Sequence, residues 1–445
     1  MTPTKYIFQN LLLPLGDKLS RQYVMKWYDF YSRSQWWDLE KLIDIQNSNL
    51  RETIQIAYKE VQFFCELYDY HGVDISQIKT VRDLPRLPTI SKDMLRKDYP
   101  NSCTRVTGFP VHELFTSGSS GKPFAVKIDN MTISHTRALM FLRANFSGWE
   151  IGEPFLQTGM TLERGLVKFL KDKLLGVEYV SAFDLSNQVL DRYLSIIEKK
   201  KLDYIMGYPG SMYYLARRAK EIGFTKMMKG IVTWGDNLYK HFRNMIEDQF
   251  RCRVTDTYGC GEGIQVAAQC EYGNYHVFMP HVVVEIVDDK GNPVPDGETG
   301  NILLTRLDPG SMPLIRYSVG DIGRKLPQPT KCACGRGLEI MLSIDGRETD
   351  VVVTPNGNRL IVHFFTGIFE YYQSIDTFKV IQKEKNGIII QIVPRPHFHE
   401  TILNNIKHEI WMKGDQNLDI QFEIVTEIPC EASNKRRFVV SHLKG

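Results

Sequence analysis

The sequence predicts an α/β protein with a large N-terminal domain over residues 1–345 and a small mobile α+β domain over 346–445. Three observations carry this. Between about 112 and 310, short apolar runs such as Tyr204-Ile205-Met206 and Gly230-Ile231-Val232-Thr233-Trp234 alternate with helical stretches such as Met212 to Ile222. That alternation is the mark of strands buried between helices. Residues 1–100 form a helical lead-in: the pattern runs from 18 to about 80, through Trp36-Trp37-Asp38-Leu39 and the helically spaced apolar residues from Leu50 to Tyr70, until Pro85, Pro88 and Pro100 break it. Third, the pattern changes after Asp345-Gly346-Arg347. Ile388–Val393 and Ile420–Ile424 read as strands with a helix from about 398 to 412 between them, and about 100 residues is an ordinary size for a domain. Within the large domain, His281–Val287, a turn at Asp289-Lys290-Gly291 and Asn301–Leu304 read as a β-rich subdomain.

The 445 residues are 43% hydrophobic and 24% charged, values of an ordinary globular protein, and the length allows two or three sizeable cores. Against 55 Lys and Arg stand 52 Asp and Glu, so no net field favours nucleic acid or a membrane surface. No apolar run is long enough to span a bilayer, and Asn10–Leu15 is too short and too weakly flanked for a secretory signal. The cytoplasm is the expected compartment, where the eight cysteines are thiols or metal ligands.

Thr116-Ser117-Gly118-Ser119-Ser120-Gly121-Lys122-Pro123 crowds four hydroxyls and two glycines into six positions ahead of a lysine. Such a loop can wrap backbone N–H groups, hydroxyls and an ammonium around a polyphosphate. It is not a Walker A loop, because Thr116 and Pro123 stand where that motif needs Gly and Ser or Thr; taken alone, it could equally be a polar surface turn. Four short motifs follow in order: Val232-Thr233-Trp234-Gly235-Asp236 at a strand end, a Gly-rich turn at Thr257-Tyr258-Gly259-Cys260-Gly261-Glu262-Gly263, Ile315-Arg316-Tyr317-Ser318-Val319-Gly320-Asp321, and Asp345-Gly346-Arg347. The turn at 259–263 is not a dinucleotide fingerprint, since Ile264 replaces the third glycine. Each motif singly is an ordinary turn; their order and spacing are what is specific.

That ordered set resembles the adenylate-forming enzymes, and within them the phenylacetate–coenzyme A ligase branch with its capsule-biosynthesis relatives. The resemblance runs from Trp36–Arg96, with Leu84-Pro85-Arg86-Leu87-Pro88-Thr89-Ile90-Ser91-Lys92 similar to the branch's lead-in, to Asn434-Lys435-Arg436-Arg437-Phe438 at the family's terminal lysine motif. It implies attack of a small carboxylic acid on the α-phosphate of ATP, giving acyl-AMP and pyrophosphate, then displacement of AMP by a thiol of coenzyme A or a carrier. Ser117, Ser119, Ser120 and Lys122 would carry the triphosphate charge, and Glu262 would hold Mg²⁺, a hard ion that takes carboxylate oxygens. Asp321 would accept hydrogen bonds from the ribose hydroxyls; Gly235, Asp236, Tyr258 and Gly259 match the adenine segments; Arg347 would reach ribose or phosphate. Lys435 would neutralise charge in the adenylation transition state; without the resemblance, Lys435-Arg436-Arg437 reads as a solvated basic tail.

Three departures stand out. Asn434 replaces a glycine, although Asn tolerates the left-handed backbone. Thr349 stands where acid is common, leaving Asp350 as the candidate hinge. Thr354-Pro355-Asn356-Gly357-Asn358 departs from the usual Gly-rich approach loop, which bears on the thiol half-reaction more than on adenylation.

Cys332-Ala333-Cys334-Gly335 and Cys270-x5-His276 together make a Cys₃His set suited to a closed, structural Zn²⁺ site, and similar sets occur in the resembling branch. The alternative is surface thiols and a strand histidine. Cys65, Cys103, Cys252 and Cys430 read as packing residues, and Cys260 as lining of the acyl pocket with Phe141, Tyr208, Pro209 and Trp234, although Tyr208 and Trp234 read equally well as core aromatics. Two further functions fit less of the sequence: an amide ligase passing the acyl group to an amine, and a non-catalytic nucleotide-binding relative.

Overall fold

A computed structural model describes all residues except 1–5, 117–123, 160–164, 183–184, 328, 348–350, 361, 370, 373, 430–436 and 444–445. It is an α/β protein whose chain divides into two compact units. The first comprises 1–236, 245–319 and 323–344; the second comprises 237–244, 320–322 and 345–445.

The lead-in supplies helices Val24–Ser34, Leu39–Glu60 and Gln62–Tyr70. In the longest of them, Asp38 caps the N-terminus by accepting from Lys41 N at 2.8 Å. The buried positions Leu42, Gln46, Leu50, Thr53, Ile54 and Ala57 recur every three or four residues, so one face packs inward. The polar members of that stripe are satisfied by the sheet: Gln46 Nε2 donates to Val282 O at 3.0 Å, and Thr53 Oγ1 to Leu307 O at 3.1 Å. A stripe that looks broken by Gln and Thr is therefore a continuous docking face.

The first unit is organised on an 11-stranded sheet. At its centre and one edge, five strands run parallel in the spatial order Val177–Ser181, Phe155–Gly159, Tyr204–Gly207, Gly230–Thr233, Val254–Cys260. Helices such as Asn187–Lys199 and Pro209–Glu221 connect them. Tyr204–Gly207 and Gly230–Thr233 are buried along their whole length, as strands covered on both faces must be, which is why they read as short continuous apolar runs.

Beyond Val254–Cys260 the sheet turns antiparallel through Ile264–Gln269 and Tyr275–Val277. It continues through Ile340–Arg347, Tyr317–Lys325, Gly300–Arg306 and Val282–Val287. The expected β-rich subdomain is therefore not a separate sheet. The hairpin Val282–Val287/Gly300–Arg306 closes the far edge of the common one, because its strands bury both faces, one of them against the lead-in helix.

The second unit carries a four-stranded sheet in the order Asp419–Ile424, Gly387–Pro394, Ile375–Glu384, Val439–Ser441. Ile388, Ile390 and Ile392 are buried and alternate with less buried neighbours, the period of a sheet with one covered face. Helix Thr401–Lys413 contributes Ile406 and Ile410 to this core. Thr354–Asn358 forms the turn between the short strands Val352–Val353 and Arg359–Leu360. No helix among the described residues is long and apolar enough to cross a membrane.

Candidate active site

In the first unit, the motif residues gather at the carboxyl ends of neighbouring parallel strands, where open α/β sheets bind ligands. Strand Tyr204–Gly207 ends at Tyr208, Gly230–Thr233 at Trp234-Gly235-Asp236, and Val254–Cys260 leads through Tyr258 and Gly259 into Glu262. Gly235 needs to be glycine twice over. Its φ is +79°, and a Cβ would lie 2.8 Å from Cε1 of Tyr208. Gly259 is constrained differently: a Cβ would meet the Ile264 carbonyl oxygen at 2.8 Å across the neck of the hairpin.

The segment 257–263 differs from the expected turn. Thr257 to Cys260 are strand, paired with Ile264 to Ala268 with a register shift between Tyr258 and Gly259, and only 261–263 turn the corner. Thr136 Oγ1 fixes that corner by donating to Gly263 O at 2.7 Å. The result points Glu262 inward.

Glu262 is 2% exposed and strongly held. Tyr317 Oη donates to its Oε1 at 2.7 Å, and Lys92 Nζ lies 3.2 Å from the same oxygen. The fold brings these two donors together by one local device. Ile90 bridges to Tyr317 as an isolated parallel pair, with Ile90 N donating to Arg316 O at 3.1 Å and Ser318 N to Ile90 O at 2.9 Å. Ser91 then caps helix Lys92–Asp98, setting Lys92 at its first position. Burial pushes the Glu262 carboxyl up, but Lys92, Tyr317 and the Cys260 thiol together outweigh it and hold the group below the usual carboxylate range. Glu262 is thus ionised although buried. The Cys260 thiol, pushed well above its ordinary value by burial and by Glu262, stays protonated and hydrogen-bonded to that carboxylate.

Beneath the hairpin lies Arg306, the largest fully buried side chain among the described residues. It donates to Met312 O at 2.7 Å, to Asp308 O at 3.2 Å and to Glu262 O at 3.4 Å, and its Nε stands 3.4 Å from Asp308 Oδ2. Nothing in the sequence distinguished Arg306, and Lys92 stood there only as the last residue of the lead-in segment, its partner Glu262 being far along the chain. Arg316, inside a recognised motif, faces away: it pairs with Glu285 at 3.0 Å and donates to Leu87 O at 2.5 Å.

The other expected nucleotide contacts are placed as follows. Thr116 ends strand Val111–Thr116, which pairs antiparallel with Phe124–Asp129 so that Thr116 stands opposite Phe124. Ser117, Gly118, Ser119, Ser120, Gly121 and Lys122 lie outside the described residues, as do Asp350 and Lys435. Asp321 falls inside strand Tyr317–Lys325 rather than on a turn, and Arg347 ends strand Ile340–Arg347. Phe141 packs against Trp149 and Tyr28, with ring centroids 6.0 and 6.2 Å apart.

Cys270, His276, Cys332 and Cys334 converge, with all four ligand atoms within 4.8 Å of one another. Cys270 closes the hairpin after Ile264–Gln269, accepting from Gly273 N, and His276 lies on the returning strand, register partner of Ile340. Cys332 and Cys334 sit on a turn closed by Gly335 N donating to Cys332 O at 3.1 Å, with Gly335 at φ +81°. The Cys270 and Cys332 sulfurs are 3.7 Å apart, far beyond a disulfide bond, and Cys334 Sγ is 3.3 Å from His276 Nε2. Burial holds the His276 imidazole down at about 4, hence neutral, the form a metal binds. Tyr272 N donates to Cys270 Sγ and the Asn274 amide to Cys332 Sγ, contacts that favour thiolate.

Two family models match the chain: AMP-binding enzyme over residues 110–308 and CapK C-terminal domain over 352–442. The phenylacetate–coenzyme A ligase of Thermus thermophilus is 26% identical over 334 residues, covering 72% of this chain and 73% of that protein. That of Aromatoleum evansii is 27% identical over 331 residues, with 72% and 73% covered. Among solved structures, 2-hydroxyisobutyryl-CoA ligase in its postadenylation state superposes with a TM-score of 0.74 at 18% identity, over 92% of this chain and 91% of that one. The amide bond synthetase McbA from Marinactinospora thermotolerans superposes with a TM-score of 0.52 at 16% identity, over 72% and 66%. Both likenesses are of fold.

Proposed function

Because the chain belongs to the adenylate-forming enzymes, in the phenylacetate–coenzyme A ligase branch, we propose that it activates a small carboxylic acid with ATP to acyl-AMP, releasing pyrophosphate. The acyl group then passes to a thiol, that of coenzyme A or a carrier, and AMP leaves. ATP and reduced thiols belong to the cytoplasm, where we place the reaction.

The observation that carries this reading is Glu262: an ionised carboxylate, buried at the carboxyl end of a parallel strand, beside the two segments that match the family's adenine pocket. Its donor chemistry suits Mg²⁺, a hard cation that takes carboxylate oxygens, and a cationic ammonium already rests on one of its oxygens. Bound there, the metal would supply charge neutralisation on the triphosphate. The chain's own part is to keep Glu262 charged and fixed. Lys92 and Tyr317 do the first, and Arg306 with Thr136 does the second by holding the hairpin backbone. Gly235 and Tyr208 offer a flat, close backbone approach for the base, while the 117–122 loop and Lys435 carry the phosphate contacts by resemblance.

The Cys₃His set fits structural Zn²⁺. A tetrahedral ion with Zn–S of about 2.3 Å puts sulfurs about 3.8 Å apart, and Cys270 and Cys332 stand at 3.7 Å. Four protein ligands leave no open position, so this metal would hold the two turns rather than act on substrate.

The test is acid-dependent release of AMP and pyrophosphate from ATP. Release of ADP and phosphate contradicts the proposal. Adding coenzyme A or an amine to enzyme-bound acyl-AMP separates thioester formation from the amide alternative.

A further inference from the structure

Arg143, near the end of helix Asn130–Asn145, is a buried cation with no ion-pair partner among the described residues. It is 6% exposed. Its Nη1 donates to Gln265 Oε1 at 2.7 Å, and the guanidinium lies over the Trp234 ring, 4.8 Å from its centroid. Among the described residues no carboxylate comes within ion-pair distance of it. Asp256 is near enough to be felt, but Thr233 Oγ1 donates to its Oδ1 at 2.5 Å and the Tyr275 hydroxyl takes its Oδ2. Burial draws Arg143 down to about 10, so it remains fully charged at neutral pH. A guanidinium has five N–H groups; the stack on Trp234 uses its face and Gln265 takes one in-plane donor, so in-plane donors remain that no described residue takes. Burying such a charge without a counter-ion is costly, and an apolar side chain would fill the same space at less expense.

Its neighbours locate it. Trp234 immediately precedes Gly235, and Gln265 is the register partner of Gly259. Arg143 therefore stands behind the two segments assigned to the nucleotide and acyl site, within the same unit. Resting on the ligase reading above, we propose that Arg143 is a specificity residue of the acyl pocket: it binds an oxygen acceptor at the end of the acid remote from the reacting carboxylate. The substrate is then a small acid bearing a second carboxylate, or a hydroxyl in its place, rather than a plain aryl or alkyl acid. A site built to bond such a group discriminates strongly against analogues lacking it, because its own buried donors are left unpaired.

The test uses acid-dependent ATP–pyrophosphate exchange on size-matched acids: butyrate, 4-hydroxybutyrate and succinate; phenylacetate, 4-hydroxyphenylacetate and 4-carboxyphenylacetate. The wild-type protein is expected to favour an oxygen-bearing member of at least one series by about 10²-fold or more in kcat/KM, with the carboxylate and hydroxyl arms distinguishing the two acceptors. Arg143→Leu should collapse that ratio to within about tenfold, and Arg143→Lys, which keeps the charge without the fork, should retain part of it. Preference for butyrate or phenylacetate in the wild type, or a ratio unmoved in both variants, overturns the inference and leaves the ligase reading standing. An equal loss with every acid also overturns it, since Arg143 would then hold the reacting carboxylate. Should Arg143→Leu fail to fold, the ratio in Arg143→Lys decides. The ligase reading itself fails on a different result: no AMP formed with any acid.

Discussion

Lys92 Nζ lies 3.2 Å from Glu262 Oε1, joining the first residue of a lead-in helix to the carboxylate at the tip of a sheet hairpin. Tyr317 completes the arrangement on the same oxygen. Together with Cys260 they keep a buried acid ionised, and this is the condition on which a cation-binding role for Glu262 rests.

Lys92 lowers the Glu262 carboxyl, so removing it raises that group from its depressed position. In Lys92→Met the acid limb of the pH–activity profile should therefore move to higher pH. The sign for stability is the same. Ionised Glu262 contributes stability above its unfolded value, which is lost as pH falls through the depressed folded value; in the variant that loss begins at higher pH. A pH–rate profile with an unmoved or more acidic limb would contradict this.

Arg306 is fully buried and holds Asp308 as well as the Glu262 carbonyl. Arg306→Met leaves Asp308 buried without its strongest cation, which costs about 3–5 kcal/mol by the usual measure for breaking such a pair. Burial pushes the Asp308 carboxyl up and Arg306 draws it below its ordinary range, so the variant should also unfold at less acidic pH. Urea titration at pH 7 and pH 5 checks both expectations; a midpoint within a few tenths molar of wild type at both would refute them.

For the Cys₃His set the expected content is about one zinc per chain. Cys334→Ser should lower both zinc content and Tm, because metal binding to a closed site is folding free energy. Metal analysis with parallel melting checks it. A metal-free wild-type protein as stable as the zinc-supplemented one would end this reading.

Much of the fold is legible in the chain because parallel strands buried on both faces write themselves as short apolar runs, as Tyr204-Ile205-Met206 does. The far hairpin was legible as strands but not as part of the common sheet. What joins it is the pairing of Gly300–Arg306 with Tyr317–Lys325, and what covers it is the lead-in helix, whose Gln46 and Thr53 bond to carbonyls more than two hundred residues away. The same limit applies at the site. Glu262 stands in a recognisable motif, whereas Lys92 and Arg143 look like ordinary helix cations until the fold sets them against partners distant in sequence, 122 residues away for Arg143 and Gln265. Local pattern announces strands and turns; it does not announce which buried charge meets which.

The proposed function gives Lys435 the role of the family's terminal lysine. Lys435→Ala should slow acyl-AMP formation by on the order of 10²–10⁴-fold, the range for losing one strong electrostatic contact to a developing charge. It should still transfer the acyl group from supplied acyl-adenylate. Single-turnover assays of the two half-reactions separate these, and equal loss in both would make Lys435 a structural residue.

The most direct measurement of the central claim is the nucleotide product of ATP turnover with a carboxylic acid present, in wild type and in Glu262→Gln. The account predicts AMP and pyrophosphate from the wild type, dependent on the acid and on Mg²⁺. It also predicts that Glu262→Gln, folded by its melting curve, loses at least about 10²-fold of this activity. ADP as the product, or AMP formation as fast in Glu262→Gln as in the wild type, would contradict it.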